Sequence, residues 1–420
     1  NGTGTLTLSG SNTYTGTTGV SAGTVQVGNG TSGSISSSSA TSVSSGATLA
    51  LNMASGSTFS NAVANAGTVN FIQSGTLTVS GVISSTGAVT QSGSGTTNLT
   101  AANTYSGATT VSAGTLILGG SGKLGSGSYS GALTVSAGAN FIFSSSANQT
   151  LSNIAAGTGI ATFSGTGALT ITGDQLFSGT INLNQSTSIT GGSNTVLSGL
   201  GRASYINIGA YVTLSGGDNS FVGTAGTGKS SSVININYGG TLYNPGVQTF
   251  HLPNGVNFSG GTLASGATIS GNALSYGVFD FDNTVNVTSE SSISALYIAM
   301  MQSGGTLFNI NPNTNLTISG NIYTSFLDTG LIVQGGGDLI LTGNNTNSSS
   351  FNVTSGTLTI GNGIGGSISS SSAISVSSGA TLALNMASGS TFSNAVANAG
   401  TVNFIQSGTL TASGVISSTG

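Results

Sequence analysis

The sequence predicts an all-β protein folded as an elongated parallel β-helix, or β-solenoid. Three observations carry this expectation: glycines punctuate the chain, apolar and small polar residues alternate between them, and a long segment recurs 333 residues later. Alternation with period two marks strands, and glycine clusters mark the turns that separate them. A strand, a corner and a second strand cannot bury an apolar face alone, but stacked copies can.

The strand–corner–strand unit is clearest in Asn103–Leu118, NTYSGATTVSAGTLIL. Thr109 and Val111 share one face of its first strand, and Leu116 and Leu118 share one face of its second. Gly114 stands where the chain turns, a place where a positive φ costs glycine least. Close relatives of the unit occur at Asn12–Val27, with Gly23 at the corner, and at Asn345–Ile360, with Gly356.

The same beat runs along the chain in GTVQV (23–27), GATLAL (46–51), GTVNFI (67–72), GTLTV (75–79) and GALTV (131–135). Many copies lie about 20 residues apart, the period of a β-helical rung. A β-sandwich alternates too, but such domains close by about 100–250 residues rather than continuing the beat. Roughly 20 rungs at the ~4.8 Å strand spacing make a rod on the order of 90 Å long.

The long repeat is nearly exact. Gly28–Gly87 recurs as Gly361–Gly420 with four differences: Thr31/Ile364, Ser32/Gly365, Thr41/Ile374 and Val79/Ala412. The register extends backwards through Gly4/Gly337, Leu6/Leu339 and Asn12/Asn345. Three sections are expected: regular rungs over 1–200, an aromatic-rich and less regular section over 201–331, and the next repeat over 332–420.

Composition narrows the function classes. The chain has 70 Gly, no Cys, no Trp, three Lys or Arg and seven Asp or Glu, so only 2% of its residues are charged. Disordered chains combine low hydrophobicity with high net charge, which this chain does not. Nucleic acid is excluded as a partner, because counterion release needs clustered Lys and Arg. No apolar run of about 18 residues suggests a membrane-spanning helix. No disulfide can form, and no metal or other cofactor is expected. A surface wetted by Ser, Thr and Asn leaves association between copies unopposed by charge. Asn1 follows no basic-then-apolar leader, so a processed chain or a slice of a longer one is expected.

The unit resembles the passenger-associated repeat of bacterial autotransporters. Its residues here are Asn12, Thr13, Tyr14, Gly16, Thr18, Val20, Gly23 and Thr24, then Asn103, Thr104, Tyr105, Gly107, Thr109, Val111, Gly114, Thr115 and Leu116. The third copy keeps Asn345 and Gly356 but has Asn347 for the tyrosine and Ser349 for the first glycine. The resemblance implies a right-handed parallel β-helix secreted to the bacterial cell surface. No β-barrel translocator is expected within these 420 residues.

Residues 201–331 hold seven of the ten tyrosines, all three prolines, the only histidine and five of the seven acids. Ile234, Ile236 and Tyr238 are expected on one strand face, with Asn235 and Asn237 on the other. Pro245, Pro253 and Pro312 mark loops, since a ladder strand needs its N–H groups. Ile293, Leu296, Tyr297, Met300 and Met301 follow helical spacing, which fits a short surface helix near 292–302.

Asp280 and Asp282 are the sharpest catalytic candidates. At i and i+2 of a strand, two carboxylates sit ~7 Å apart, a spacing that suits inverting glycoside hydrolysis. The plainer reading makes them solvated outer residues, with Phe279 and Phe281 packed inward. His251 and the scattered Lys123, Arg202 and Lys229 lend an active site little support. Asp280, Asp282 and Asn283 also fall short of the oxygen ligands that Ca²⁺ takes. Tyr205, Tyr238, Tyr243, Tyr276 and Tyr323 form a candidate binding surface for glycans or proteins, since aromatic rings offer contact area with a polar tip. The plainer reading there is a wider core.

The expected function is a structural or adhesive fibre at the cell surface, built by stacking rungs and not an enzyme. Its partners are copies of itself, end to end or side by side, or further repeats of the same chain. The alternative is a secreted polysaccharide-cleaving β-helix enzyme using Asp280 and Asp282.

Overall fold

Strands form wherever a threonine opens an apolar–polar–apolar run, because β-branched residues suit the pleated ladder and alternate residues reach one interior. In the computed structural model one turn runs through Thr68–Phe71, Thr76–Val79 and Ile83–Ser84, then returns at Ala88–Gln91. Ala88 pairs with Thr68 and Gln91 with Phe71, so the chain comes back in register on itself. Every paired set of strands among the described residues is parallel, which makes the fold an all-β parallel solenoid. The described residues are 2–37, 39–152, 154, 156–172, 177–185, 187–189, 205–209, 213–216, 233–244, 250–252, 255–265, 279–281, 283–300, 302–324, 330–346 and 349–418. Two compact units divide the chain, Asn1–Ser204 and Tyr205–Gly420.

Within the first unit, one ladder stacks Thr76–Val79, Thr96–Leu99, Thr115–Leu118, Asn140–Phe143, Ile160–Phe163 and Thr180–Leu183. Val79, Leu99, Leu118, Phe143, Phe163 and Leu183 form one buried interior column. Each such side chain contributes about 1.5–3 kcal/mol by leaving water. Phe141 and Phe163 meet edge to face at 6.5 Å, the arrangement aromatic quadrupoles prefer.

The second unit stacks Val233–Asn237, Val256–Ser259, Val285–Ser289, Thr306–Ile310 and Leu331–Gln334 in the same way. Pro312 lies in the corner between Thr306–Ile310 and Asn315–Ile318, as expected; Pro245 and Pro253 lie outside the described residues. Tyr238 departs from the expected face. The strand ends at Asn237, and Tyr238 stands in the turn beyond it, exposed.

The corner glycines behave as the sequence predicts. Gly114 has φ +58°, Gly23 +62° and Gly356 +74°. A Cβ on Gly114 would also strike the Gly95 carbonyl oxygen one turn back, so both the dihedral and the rung spacing demand glycine there.

The helix near 292–302 does not form. Ser291–Ile293 and Tyr297–Met300 are strands, pairing with Asn315–Ile318 and Asn321–Thr324. Ile293, Ile298 and Met300 are buried, and Leu296 falls in the exposed corner between the strands. A short isolated helix is marginal in water, and ladder pairing on both sides overrides its spacing. Met301 lies outside the described residues. The helical element present among the described residues is the 3-10 turn Gly125–Gly127, and none is long and apolar enough to cross a membrane.

Candidate functional site

The repeat unit is where sequence pattern and geometry converge. Asn103 is fully buried at a corner and bonds in three directions. Its Oδ1 accepts the Ile83 N–H of the preceding rung at 2.9 Å. Its Nδ2 donates to the Ala101 carbonyl at 3.0 Å, and its backbone N–H donates to the Lys123 carbonyl of the following rung at 2.9 Å. Asn345 repeats this staple: Oδ1 accepts from Ile322 N–H at 2.8 Å, and Nδ2 donates to Gly343 at 3.1 Å. Asn12 makes the local half of it, donating through Nδ2 to Gly10 and through its backbone N–H to Ser34. One asparagine, through its side chain and its backbone N–H together, thus ties three successive turns, which explains why this corner takes Asn and no apolar residue.

A hydroxyl relay lies beside the staple. Tyr105 and Thr109 share a hydrogen bond of 2.8 Å, Thr109 and Tyr129 one of 2.7 Å, and Tyr129 donates to the Gly107 carbonyl at 2.5 Å. The two rings meet edge to face at 5.8 Å. In the first copy Tyr14, Thr18 and Ser39 form the same relay, ending on Gly16. Ser39 supplies the hydroxyl that Tyr129 supplies in the second copy. Burial pushes the Tyr129 phenol up to about 12, the Thr109 hydrogen bond opposing it. It raises Tyr105 further still, with Tyr129 adding to the effect. Both phenols stay neutral. Gly107 is needed for close approach, because a Cβ there would strike the Gly87 carbonyl oxygen; Gly16 faces open space.

The candidate carboxylates are placed differently from expectation. Phe279 and Phe281 pack inward as predicted, but Asp280 is also fully buried, so the solvated outer position is overturned. Its backbone neighbours in register are His251 and Ala299. Ala299 is buried as well, so this part of the sheet is covered on both faces and shows continuous burial in place of alternation. Asp282 lies outside the described residues. Among the described residues, no three His, Cys, Asp or Glu side chains come together.

Of the candidate tyrosines, Tyr238 is exposed and Tyr243 half-buried in the strand Thr241–Asn244. Tyr205 opens the strand Tyr205–Ile208, Tyr323 is in register with Ala299, and Tyr276 lies outside the described residues. A different feature unifies this region: an asparagine ladder on the outer face. Asn235 donates to Asn207 at 2.6 Å, Asn257 to Asn235 at 2.7 Å, Asn286 to Asn257 at 2.9 Å and Asn309 to Asn286 at 3.0 Å. Its signal was an asparagine flanked by apolar residues in INI (206–208), INI (234–236), VNF (256–258), VNV (285–287) and FNI (308–310).

Parallel rungs, amide staples and a nearly uncharged coat define a repeat-built β-solenoid. The comparisons refine that class: residues 1–27, 89–118 and 331–360 match the passenger-associated-transport-repeat. These are the segments in which the staple or its local half occurs, and the resemblance read from Asn12, Asn103 and Asn345 holds. Passenger-associated-transport-repeats on a β-solenoid fit an autotransporter passenger. No characterised protein and no solved structure matches the chain.

Proposed function

We propose that the chain is a section of a secreted passenger displayed on a bacterial surface, where it serves as a structural and adhesive fibre rather than an enzyme. The observation that carries the reading is the set of three passenger repeats built as rungs of a solenoid. Support comes from the coat. With 2% charged residues, the molecule is wetted by hydroxyls and amides, and little electrostatic repulsion keeps neighbouring molecules apart. Hydrogen-bonded side-chain columns such as the asparagine ladder stiffen the outer face.

The test is protease shaving of intact cells that carry the chain, with immunogold electron microscopy of the same cells. Surface label that is lost on shaving is expected; label confined to the cell interior overturns the reading. Adhesion is tested with the purified chain on immobilised glycans and matrix proteins. Saturable binding that Tyr238→Ala weakens supports it, and absence of binding leaves a purely structural fibre.

A further inference from the structure

The asparagine ladder of the second unit keeps hydrogen-bonding capacity that the fold does not use. Asn235, Asn257 and Asn286 each donate one N–H to the rung before and accept one from the rung after. A side-chain amide has two donors and two acceptor lone pairs, so among the described residues each of the three retains one N–H and one lone pair. All four bonds point the same way along the solenoid. Such a chain polarises its members and strengthens the groups left over. The three amides are half-buried on the outer face, one per rung at the ~4.8 Å strand spacing.

The corner that ends this face adds a ring and a carboxylate. Asn237, Ser259 and Ser289 are in register, so the residues that follow them, Tyr238, Gly260 and Glu290, occupy the same corner of three successive rungs. Tyr238 is 65% exposed. Its ring lies against Gly260, where an added Cβ would meet the ring carbon Cδ2 at 2.9 Å, so glycine gives the ring its place. Glu290 is exposed beside it. Between ladder and corner, the Ser259 and Thr288 hydroxyls share a hydrogen bond of 2.6 Å.

Paired donors and acceptors beside an exposed aromatic ring suit a ligand rich in hydroxyls whose rings have apolar faces, which is the chemistry of a sugar. Hydroxyls donate and accept as amides do, and an aromatic ring offers a broad contact area with a polar tip. Charge selects further. Glu290 stands at this corner, and no strand or corner that builds the face contains Lys or Arg, so an anionic ligand meets repulsion and no counter-charge. We propose that this face binds a neutral glycan, its hydroxyls on the ladder amides and one sugar ring against Tyr238. The site specifies the ligand for the adhesive reading above and rests on that reading.

An array printed with neutral polysaccharides and with uronic-acid polysaccharides, probed with the purified 420-residue chain, tests it. Binding to neutral polysaccharides and none to the acidic ones is expected. Tyr238→Ala should weaken binding about tenfold through loss of the ring contact. Asn257→Ala, which removes the middle amide, should weaken it too, whereas Asn352→Ala, on the same sheet but outside the ladder, should leave it unchanged. Tyr238 is exposed, so its truncation spares the core, and circular dichroism checks that all three variants fold. No binding to any neutral polysaccharide overturns the proposal, as does binding that acidic polysaccharides share or that Tyr238→Ala and Asn257→Ala leave intact. If Asn257→Ala instead abolishes self-association in sedimentation velocity, the ladder is an interface between copies, which also overturns it. Binding to matrix proteins but to no glycan rejects this site and leaves adhesion standing. The array needs no cell, so failure of surface display leaves its result in place.

Discussion

The Oδ1 of Asn103 accepts the Ile83 N–H at 2.9 Å, twenty residues back along the chain and one turn down the solenoid. A single side chain thereby satisfies a buried backbone donor where the rung bends and the ladder is interrupted. Asn103→Leu leaves that N–H buried without an acceptor, a cost of about 1–3 kcal/mol. Urea unfolding is expected to show this loss for Asn103→Leu and, through the Ile322 N–H, for Asn345→Leu. Asn12→Leu should lose less, because its Nδ2 bonds to the Gly10 and Ser34 carbonyls are exposed or only partly buried, so water can replace it there.

The hydroxyl relay makes stability fall at high pH. The folded-state pKa values of Tyr105 and Tyr129 are raised by burial, while in the unfolded chain a tyrosine titrates near 10. Below about pH 10 both states keep the proton and the contribution is complete. Above it the unfolded state releases protons that the folded state holds, so stability declines as pH rises toward the folded values. Denaturation followed from pH 8 to 12 should show a decline that Tyr105→Phe reduces. No comparable dependence is expected near neutrality, since the chain has one histidine.

Thr109 joins the two phenols, so Thr109→Val leaves Tyr105 without its 2.8 Å partner in a fully buried site. The expected loss is about 1–3 kcal/mol by chemical denaturation. Thr18→Val in the first copy is the milder case, because Tyr14 there is 40% exposed and water can replace the threonine.

Gly114→Ala and Gly138→Ala separate two roles of glycine. Both positions have positive φ, +58° and +75°, which costs an L-residue about 1–2 kcal/mol. Gly138 faces open space, so Ala there should cost no more than that. At Gly114 the Cβ also meets the Gly95 carbonyl oxygen, and thermal unfolding should show a clearly larger drop or no folded protein.

Cutting the asparagine ladder should be felt beyond the residue removed. Asn257 donates to Asn235 and accepts from Asn286, so Asn257→Ala breaks two bonds, each worth about 0.5–1.5 kcal/mol. A double-mutant cycle with Asn286→Ala should show coupling, and one with Asn352→Ala, four rungs further along the same unit, should show none.

How much was legible follows from these residues. The strands, corner glycines and repeat unit were readable because period-two alternation and a positive φ are local demands, met by Leu116, Leu118 and Gly114 without knowledge of neighbours. The mistaken helix shows the limit of that reasoning: Ile293, Leu296, Tyr297 and Met300 satisfy two periods at once, and only pairing with Asn315–Ile318 and Asn321–Thr324 chooses between them. Alternation places Asp280 outward, which suits either a catalytic carboxylate or a solvated one, but alternation says nothing about what covers the outer face, and Asp280 is buried.

From sequence alone came the solenoid, its glycine corners and its kinship with passenger repeats, since each rests on neighbours along the chain. Which polar groups meet was decided only in three dimensions. Asn103 finds Ile83, Tyr129 finds Thr109 and Asn257 finds Asn235 through rung lengths that set the register of stacking. A hydrogen bond of 3 Å between residues about twenty apart depends on every turn between them, and no local pattern records that sum.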